Sequence, residues 1–235
     1  MSCNLRRVLM QSLLAIVGCL ALNAGTGYGA IIGVTGQGNI LIPDNTPNTG
    51  ATANFFNDTG VNRRIHGWNE LQNVRLQQDI TVDIVNPGFY GGPFTSANAT
   101  IAAGTMVSSH LLYFDPLRST QRQAEFTFDS DIIGIIVLSD IPGNDRFLNS
   151  DFLGNPLTAY PGAHFNLRGV EFGPETMTLS ADRRTLHVCL VASDPGDQVR
   201  VITRCDVPEP ASALLGLVGL IGAVVGRRSI AGMLA

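Results

Sequence analysis

Between its two ends the chain alternates hydrophobic and polar residues over short distances. Ile80, Val82 and Ile84 alternate with Thr81 and Asp83, the period-two pattern of a half-buried strand. A strand is expected from about Thr105 to Phe114, and a short one from Glu125 to Phe128. Ile132 to Leu138 is almost continuously apolar, which predicts a central strand buried on both faces. Further strands are expected over Gly169 to Phe172, Met177 to Ser180, Thr185 to Ala192 and Gln198 to Thr203. Asn86-Pro87-Gly88, Gly91-Gly92-Pro93 and Asp194-Pro195-Gly196-Asp197 are turn signals, and the last would join the final two strands as a hairpin. Ile31 to Gly60 reads as loose structure and Ser139 to Pro161 as a long polar loop. Gly33-Val34-Thr35-Gly36-Gln37-Gly38 lacks the Lys and helix of a phosphate loop and reads as a strand or turn. No long stretch has helical period. About nine short strands with frequent turns predict an all-β chain, a single β-sandwich of jelly-roll-like form.

The ends break this pattern. Arg6 and Arg7 precede an apolar stretch from Val8 to about Leu22, followed by small residues. That is the layout of a secretory signal peptide, residues 1–30, with cleavage after Ala24 or at Gly29-Ala30. Ile16-Val17-Gly18-Cys19 is similar to a lipoprotein box with Cys19 as the lipid-bearing residue, although the apolar run continues past it. Near the other end, Val207-Pro208-Glu209-Pro210 leads into an uncharged run from Ala211 to Gly226, then Arg227 and Arg228. As a helix this run would span roughly 24 Å. A bilayer core of about 30 Å is slightly thicker, a mismatch that local thinning absorbs. The Arg pair would stay cytoplasmic, leaving everything before Pro208 outside. Gly216, Gly219, Gly222 and Gly226 suit close helix approach in a membrane. The sequence thus divides into a signal helix (1–30), a β-rich ectodomain (31–206), a tail with a transmembrane helix (207–228) and a short cytoplasmic end (229–235).

Composition sharpens this division. Of 235 residues, 45% are hydrophobic and 14% charged, against about a quarter charged in an ordinary soluble domain. The chain has no Lys. Residues 31–206 hold eleven Arg against eighteen acidic residues, a net charge of −7. A basic nucleic-acid footprint is absent, and Schiff-base chemistry has no amine to use.

The tail resembles the PEP-CTERM sorting signal: Pro208-Glu209-Pro210, a short apolar span, then the basic pair Arg227 and Arg228. The resemblance implies export, recognition by the membrane protease-transpeptidase exosortase, removal of the span, and release or transfer to a surface carrier in exopolysaccharide-making bacteria. Ser229 to Ala235 extend beyond the basic pair, where tails of this family normally stop. WNELQNVRL, SSHLLYFDP, IIGIIVL, NSDFLGNP, RGVEF and DQVRVIT, between Trp68 and Thr203, resemble the β-rich ectodomain of many PEP-CTERM proteins. That domain type brings no activity with it.

Candidate chemistry is sparse. His66, His110, His164 and His187 show no metal-ligand spacing. Asp140, Asn144, Asp145, Asn149, Asp151 and Asn155 offer hard oxygens of the kind calcium takes, although the spacing is not that of an EF-hand and such residues also make turns. Otherwise no cofactor and no metal are expected. Ser108 and Ser109 adjoin His110 without a nucleophile elbow, and on a strand Ser109 and His110 would point to opposite faces. Glu70, Glu125, Glu171 and Glu175 are the candidates for a glycosidase pair. Cys189 and Cys205 are the candidate disulfide, in a compartment that permits one. In a regular Asp194–Asp197 hairpin their sulfurs would lie roughly 10 Å apart on opposite faces, beyond the ~7 Å Cα limit. Only a bulge or a curled end after Thr203 would join them.

The expected protein is not an enzyme. It is an exported surface or matrix protein, handled by the Sec machinery and exosortase, transiently anchored in the membrane and associated with exopolysaccharide. Trp68, Phe89, Tyr90 and Phe94 are candidate sugar-stacking aromatics. The alternatives are a secreted polysaccharide-modifying hydrolase and an ice-binding or adhesive protein.

Overall fold

The computed structural model describes residues 29–41, 64–92, 94–116, 118–138, 146–156, 158, 169–171, 173–193 and 196–205. The expected signal helix and C-terminal transmembrane helix lie outside these residues. Among the described residues no helix is long and apolar enough to cross a membrane.

The described chain is predominantly β. In order, its strands are β1 (Ile31–Gly36), β2 (Gly38–Ile40), β3 (Ile65–Asn69), β4 (Val74–Arg75), β5 (Ile80–Val82), β6 (Gly88–Gly91) and β7 (Ala99–Ile101), then β8 (Met106–Phe114), β9 (Thr120–Phe128) and β10 (Ile132–Ile136). A five-residue helix α1 (Arg146–Ser150) and a 3-10 turn (Asp151–Leu153) precede β11 (Thr176–Leu179), β12 (Thr185–Ala192) and β13 (Asp197–Arg204). A five-stranded sheet runs β1-β9-β12-β11-β6. A six-stranded sheet runs β10-β13-β8-β3-β2, with β4 also paired to β8, and β5 and β7 form a separate pair. All pairings are antiparallel except β2 with β3.

The two large sheets share one apolar core. Ala124, Phe126, Phe128, Met177, Leu186 and Val188 from one meet Leu112, Phe114, Ile135, Val199 and Val201 from the other. A second core lies on the other face of the six-stranded sheet, where Trp68, Leu111, Tyr113 and Ile202 are covered by Ile80, Val82, Ile101, Phe147 and Leu153. Strand β8 therefore alternates between two cores, Leu112 and Phe114 into one, Leu111 and Tyr113 into the other. That is why every residue of β8 after Met106 is buried, Ser108, Ser109 and His110 included.

Charge is buried in the covering layer of the second core. The Arg200 side chain is wholly buried, and its Nε and Nη2 donate to Glu70 Oε2 (2.8 Å) and Oε1 (2.9 Å). Its Nη1 donates to Phe147 O (3.2 Å), Ser150 Oγ (2.7 Å) and Asp151 Oδ1 (3.0 Å). One guanidinium thus ties β13 and the residue after β3 to both helical turns. Asp83, also buried, accepts from the amides of Val137 (2.8 Å) and Leu138 (3.0 Å) and from Ser96 Oγ (2.7 Å), and pairs with Arg146 at the head of α1.

Several expectations are corrected. Ile132–Ile136 is buried on both faces yet lies at the edge of its sheet. The β5–β7 pair covers its outer face so closely that a Cβ on Gly134 would stand 2.7 Å from Val82 Cγ1. A continuous apolar run therefore reports burial on two sides, not a central place. Asp83 belongs to no polar face, because the segment after β5 is packed from both sides. The stretch Ser139 to Pro161, read as loop, contains α1 and the 3-10 turn. Residues 169–171 form no strand. The hairpin across Asp194–Asp197 does not exist: β12 pairs with β9 and β11, and β13 with β8 and β10, so the chain crosses between sheets there.

Removing one partner of a buried pair strands the other charge, at a cost of about 3–5 kcal/mol. Glu70→Ala is expected to lower unfolding free energy by that amount in urea denaturation. The double variant Glu70→Leu/Arg200→Met is expected to recover most of the loss, because an apolar pair of similar volume needs no counterion.

Candidate functional site

Alternation along the five-stranded sheet sends one set of side chains into the core and leaves the other on an outer face. Register places Thr35, Glu125, His187, Thr178 and Phe89 in one row across all five strands. Gly91, Thr176, Cys189 and Gln123 form the next row. Phe89 is 69% exposed on edge strand β6. Its ring lies along the sheet beside Gly91, where an added Cβ would come within 3.1 Å of Phe89 Cζ. The face therefore combines one aromatic platform with hydroxyl, imidazole, carboxylate and amide groups, the mixture that hydrogen-bonds and stacks on a polyhydroxylated ligand.

Of the four aromatics expected to stack on sugars, Phe89 is the exposed one. Trp68 is buried and sits edge-on to Tyr113, with ring centroids 6.4 Å apart. Tyr90 is half-buried, edge-on to Phe94 at 6.0 Å, and its hydroxyl donates to Asn86 O (2.6 Å). A separate polar cleft of about 490 Å³ between β5 and α1 is lined by Gln78, Asp79, Ile80, Thr81, Arg146 and Asn149.

The serines and histidine of β8 are structural in their contacts. Ser109 Oγ donates to Glu70 Oε2 (2.5 Å) on the second-core side. His110 points the other way, edge-on to Phe128 at 5.1 Å. Its Nδ1 meets Asn69 Oδ1 (2.8 Å), which also accepts the Ile31 amide (3.0 Å), and its Nε2 meets Thr203 Oγ1 (3.0 Å). Because Asn69 Oδ1 is an acceptor, these contacts assign the ring proton to Nδ1, with the Thr203 hydroxyl donating to Nε2. Ser108 Oγ accepts the Asn73 amide (3.0 Å). His187 is on the outer face, and His164 lies outside the described residues.

The acidic residues separate into distinct environments. Glu70 is bound to Arg200, and Glu125 belongs to the outer row. Glu175 meets Asp197 at the end of the interior between the sheets, and Glu175 Oε1 accepts the Val191 amide (2.9 Å). Burial, with the neighbouring Glu175, pushes Asp197 up to about 10. Burial likewise raises Glu175. The Asp/Asn-rich stretch is only partly described. Asp151 is held by Arg200, and the main-chain carbonyls of Asn149 and Asn155 accept hydrogen bonds from Gln78 Nε2 (3.5 Å) and the Thr158 amide (2.9 Å). Asp140, Asn144 and Asp145 lie outside. Among the described residues no group of three or more His, Cys, Asp or Glu is placed to hold a metal ion.

Cys189 and Cys205 do not form a disulfide. Cys189 Sγ accepts from Gln121 Nε2 (3.0 Å) and Cys205 Sγ donates to Asn73 Oδ1 (3.3 Å). The physical reason is the missing hairpin: Cys189 is on the five-stranded sheet, and Cys205 follows β13 of the other. Sequence reasoning missed Arg200 and Asp197. Both carried a signal, since each is a charge inside or at the head of the apolar strand Val199-Arg200-Val201-Ile202. Asp197 also shares the inward parity of Val199 and Val201.

Burial without a countercharge holds His110 down at about 3, against 6.5 when unfolded. As pH falls below 6.5 the unfolded chain takes up a proton that the folded chain refuses, so stability declines between pH 6.5 and about 3. His110→Asn is expected to flatten this acid slope in urea midpoints measured from pH 7 to 4.5, whatever its cost at pH 7. An unchanged slope would assign the acid sensitivity to other groups.

Comparison with protein families finds a match over residues 206–229, the PEP-CTERM protein-sorting motif. The match spans Pro208, Glu209, Pro210, Arg227 and Arg228. No curated protein and no solved structure matches the chain. Residues 206–229 are a PEP-CTERM protein-sorting motif, which implies an exported chain sorted by exosortase to the surface or the extracellular space.

Proposed function

We propose that this chain is a cell-surface or extracellular-matrix protein with a structural or binding role, associated with exopolysaccharide. The sorting motif at residues 206–229 carries this reading. Export would use the Sec machinery through residues 1–30. The Ala211–Gly226 run would hold the protein in the membrane until exosortase acts near Pro208-Glu209-Pro210. The two facing sheets support a β-sandwich of jelly-roll-like form, with the outer face of the five-stranded sheet as the ligand surface. Phe89 would stack on a sugar ring, and Thr178, His187 and Glu125 would hydrogen-bond its hydroxyls.

A hydrolase draws less support from the same groups. Glu70 is paired with Arg200, Glu175 is buried, and among the described residues Asp79 alone brings a carboxyl group to the polar cleft. An ice-binding surface would need a flat array of Thr, whereas Glu125 and His187 separate Thr35 from Thr178.

Two measurements test the reading. Intact-mass spectrometry of the mature protein from native cells is expected to show mass lost at both ends, near Ala30 and near Pro210. An intact tail in the inner membrane would leave a simple anchored protein. In affinity electrophoresis through the native exopolysaccharide, Phe89→Ala is expected to weaken retardation by roughly tenfold, the scale of one aromatic contact. Ile32→Ala, at an equally exposed apolar position (62%), is expected to leave it unchanged.

A further inference from the structure

We propose that Glu175 and Asp197 bind a calcium ion that joins the two large sheets at one end of the shared core. Glu175 directly precedes β11 of the five-stranded sheet, and Asp197 opens β13 of the six-stranded sheet. Glu175 has the parity of Met177 and Leu179, and Asp197 that of Val199 and Val201, all of which enter the shared core. The two side chains therefore converge from opposite layers, and only 1% and 3% of their surfaces are exposed.

What they meet there is each other. The Val191 amide donates to Glu175 Oε1, the Glu171 main chain also hydrogen-bonds the Glu175 carboxyl group, and the Glu175 and Asp197 side chains hydrogen-bond each other. Among the described residues no other side chain donates to the buried Glu175 Oε2 or Asp197 Oδ2. The nearby charges are also negative: Glu171 acts on both groups and Asp115 on Asp197. The Asp115 carboxylate is itself bound by the Tyr113 hydroxyl at 2.7 Å. None of the ion pairs among the described residues reaches Glu175 or Asp197. Two buried carboxyl groups in contact must be neutralised, either by a retained proton or by a cation.

The donor set selects the cation. Hard carboxylate oxygens without nitrogen or sulfur suit calcium, and magnesium would insist on a regular octahedron and keep its waters. Because among the described residues no third acidic or His side chain is placed to complete a metal site with the pair, the remaining ligands would be carbonyl oxygens and water, which calcium accepts in irregular geometry. A site with two acidic ligands belongs with the weak extracellular class, of Kd about 10⁻⁴–10⁻³ M. It would act as a stitch: the ion binds only where the two sheets are already docked, so binding stabilises the docked state.

The test is thermal unfolding of the full chain in detergent at pH 7.5, after chelation and on return of calcium, magnesium or potassium. Calcium at 10 mM is expected to raise Tm by about 5 °C. Magnesium and potassium are expected to do far less. The calcium increment should vanish in Glu175→Gln and in Asp197→Asn and persist in Glu171→Gln. No increment in the wild type overturns the proposal and leaves the pair holding a proton. An increment that survives in both variants also overturns it and moves the ion elsewhere, for example to the Asp140–Asn155 stretch. Should both variants fail to fold, calorimetry of the wild type in buffers of differing ionisation enthalpy decides. Calcium entering this pair must displace the retained proton, and uptake without proton release overturns the assignment.

Discussion

The Arg200 guanidinium, sealed from water, is the constraint on which the second layer of this domain depends. Its N–H donors have fixed directions: Nε and Nη2 donate to Glu70, and Nη1 is shared among Phe147 O, Ser150 and Asp151. A short helix of five residues would not persist alone. Here it is held by the charge it covers and by Phe147, whose ring lies 5.8 Å from the Arg200 guanidinium. Ordering α1 in turn completes the cover over Trp68, Leu111 and Ile202. A buried ion pair adds little net stability relative to apolar substitutes. What it adds is a unique position for a segment with too few apolar residues to define one by packing.

The same dependence explains how the sequence could be read. Strands β11 and β12 were legible to within a residue because Met177 and Leu179, and Leu186, Val188 and Leu190, alternate against a face that is outside the core. Strand β9 was half-legible. Its Phe126 and Phe128 announce it, but Thr120 to Gln123 are polar and enter the strand only because β12 pairs with them. Strand β3 escaped notice because Gly67 interrupts its pattern, and the space it leaves is filled by the Phe126 ring. Strand order was not legible at all. The Asp194–Asp197 turn signal marks a reversal, and a reversal within one sheet and a crossing between two look alike over four residues.

Site residues followed the same division. The opposed faces of Ser109 and His110 follow from strand geometry alone, so they could be foreseen. The partners of Ser109 and Arg200 could not, because Glu70 is 130 residues from Arg200 in the chain. The sorting tail is the opposite case. It is a contiguous word whose meaning lies in its order of residues, and it needs no fold to be recognised. The outer face is intermediate: Phe89 was visible as an aromatic among glycines, but its neighbours Thr178, His187 and Glu125 come together only through register.

The place of β13 has a mechanical meaning. It lies between β8 and β10, antiparallel to both, and its ladder with β8 runs from Asp197 to Arg204. The chain leaves the domain directly from the end of this strand, at Cys205. A pull on the tail along the strand axis would load the hydrogen bonds on both flanks in shear, many at once, rather than peeling them singly. The segment that leads into β1 also lies here, since the Thr203 hydroxyl lies 3.1 Å from Gly29 O. The two segments thus meet at one corner but load different places: tension on the tail is borne by β13 inside its sheet, whereas tension through Gly29 reaches β1 at the edge of the five-stranded sheet.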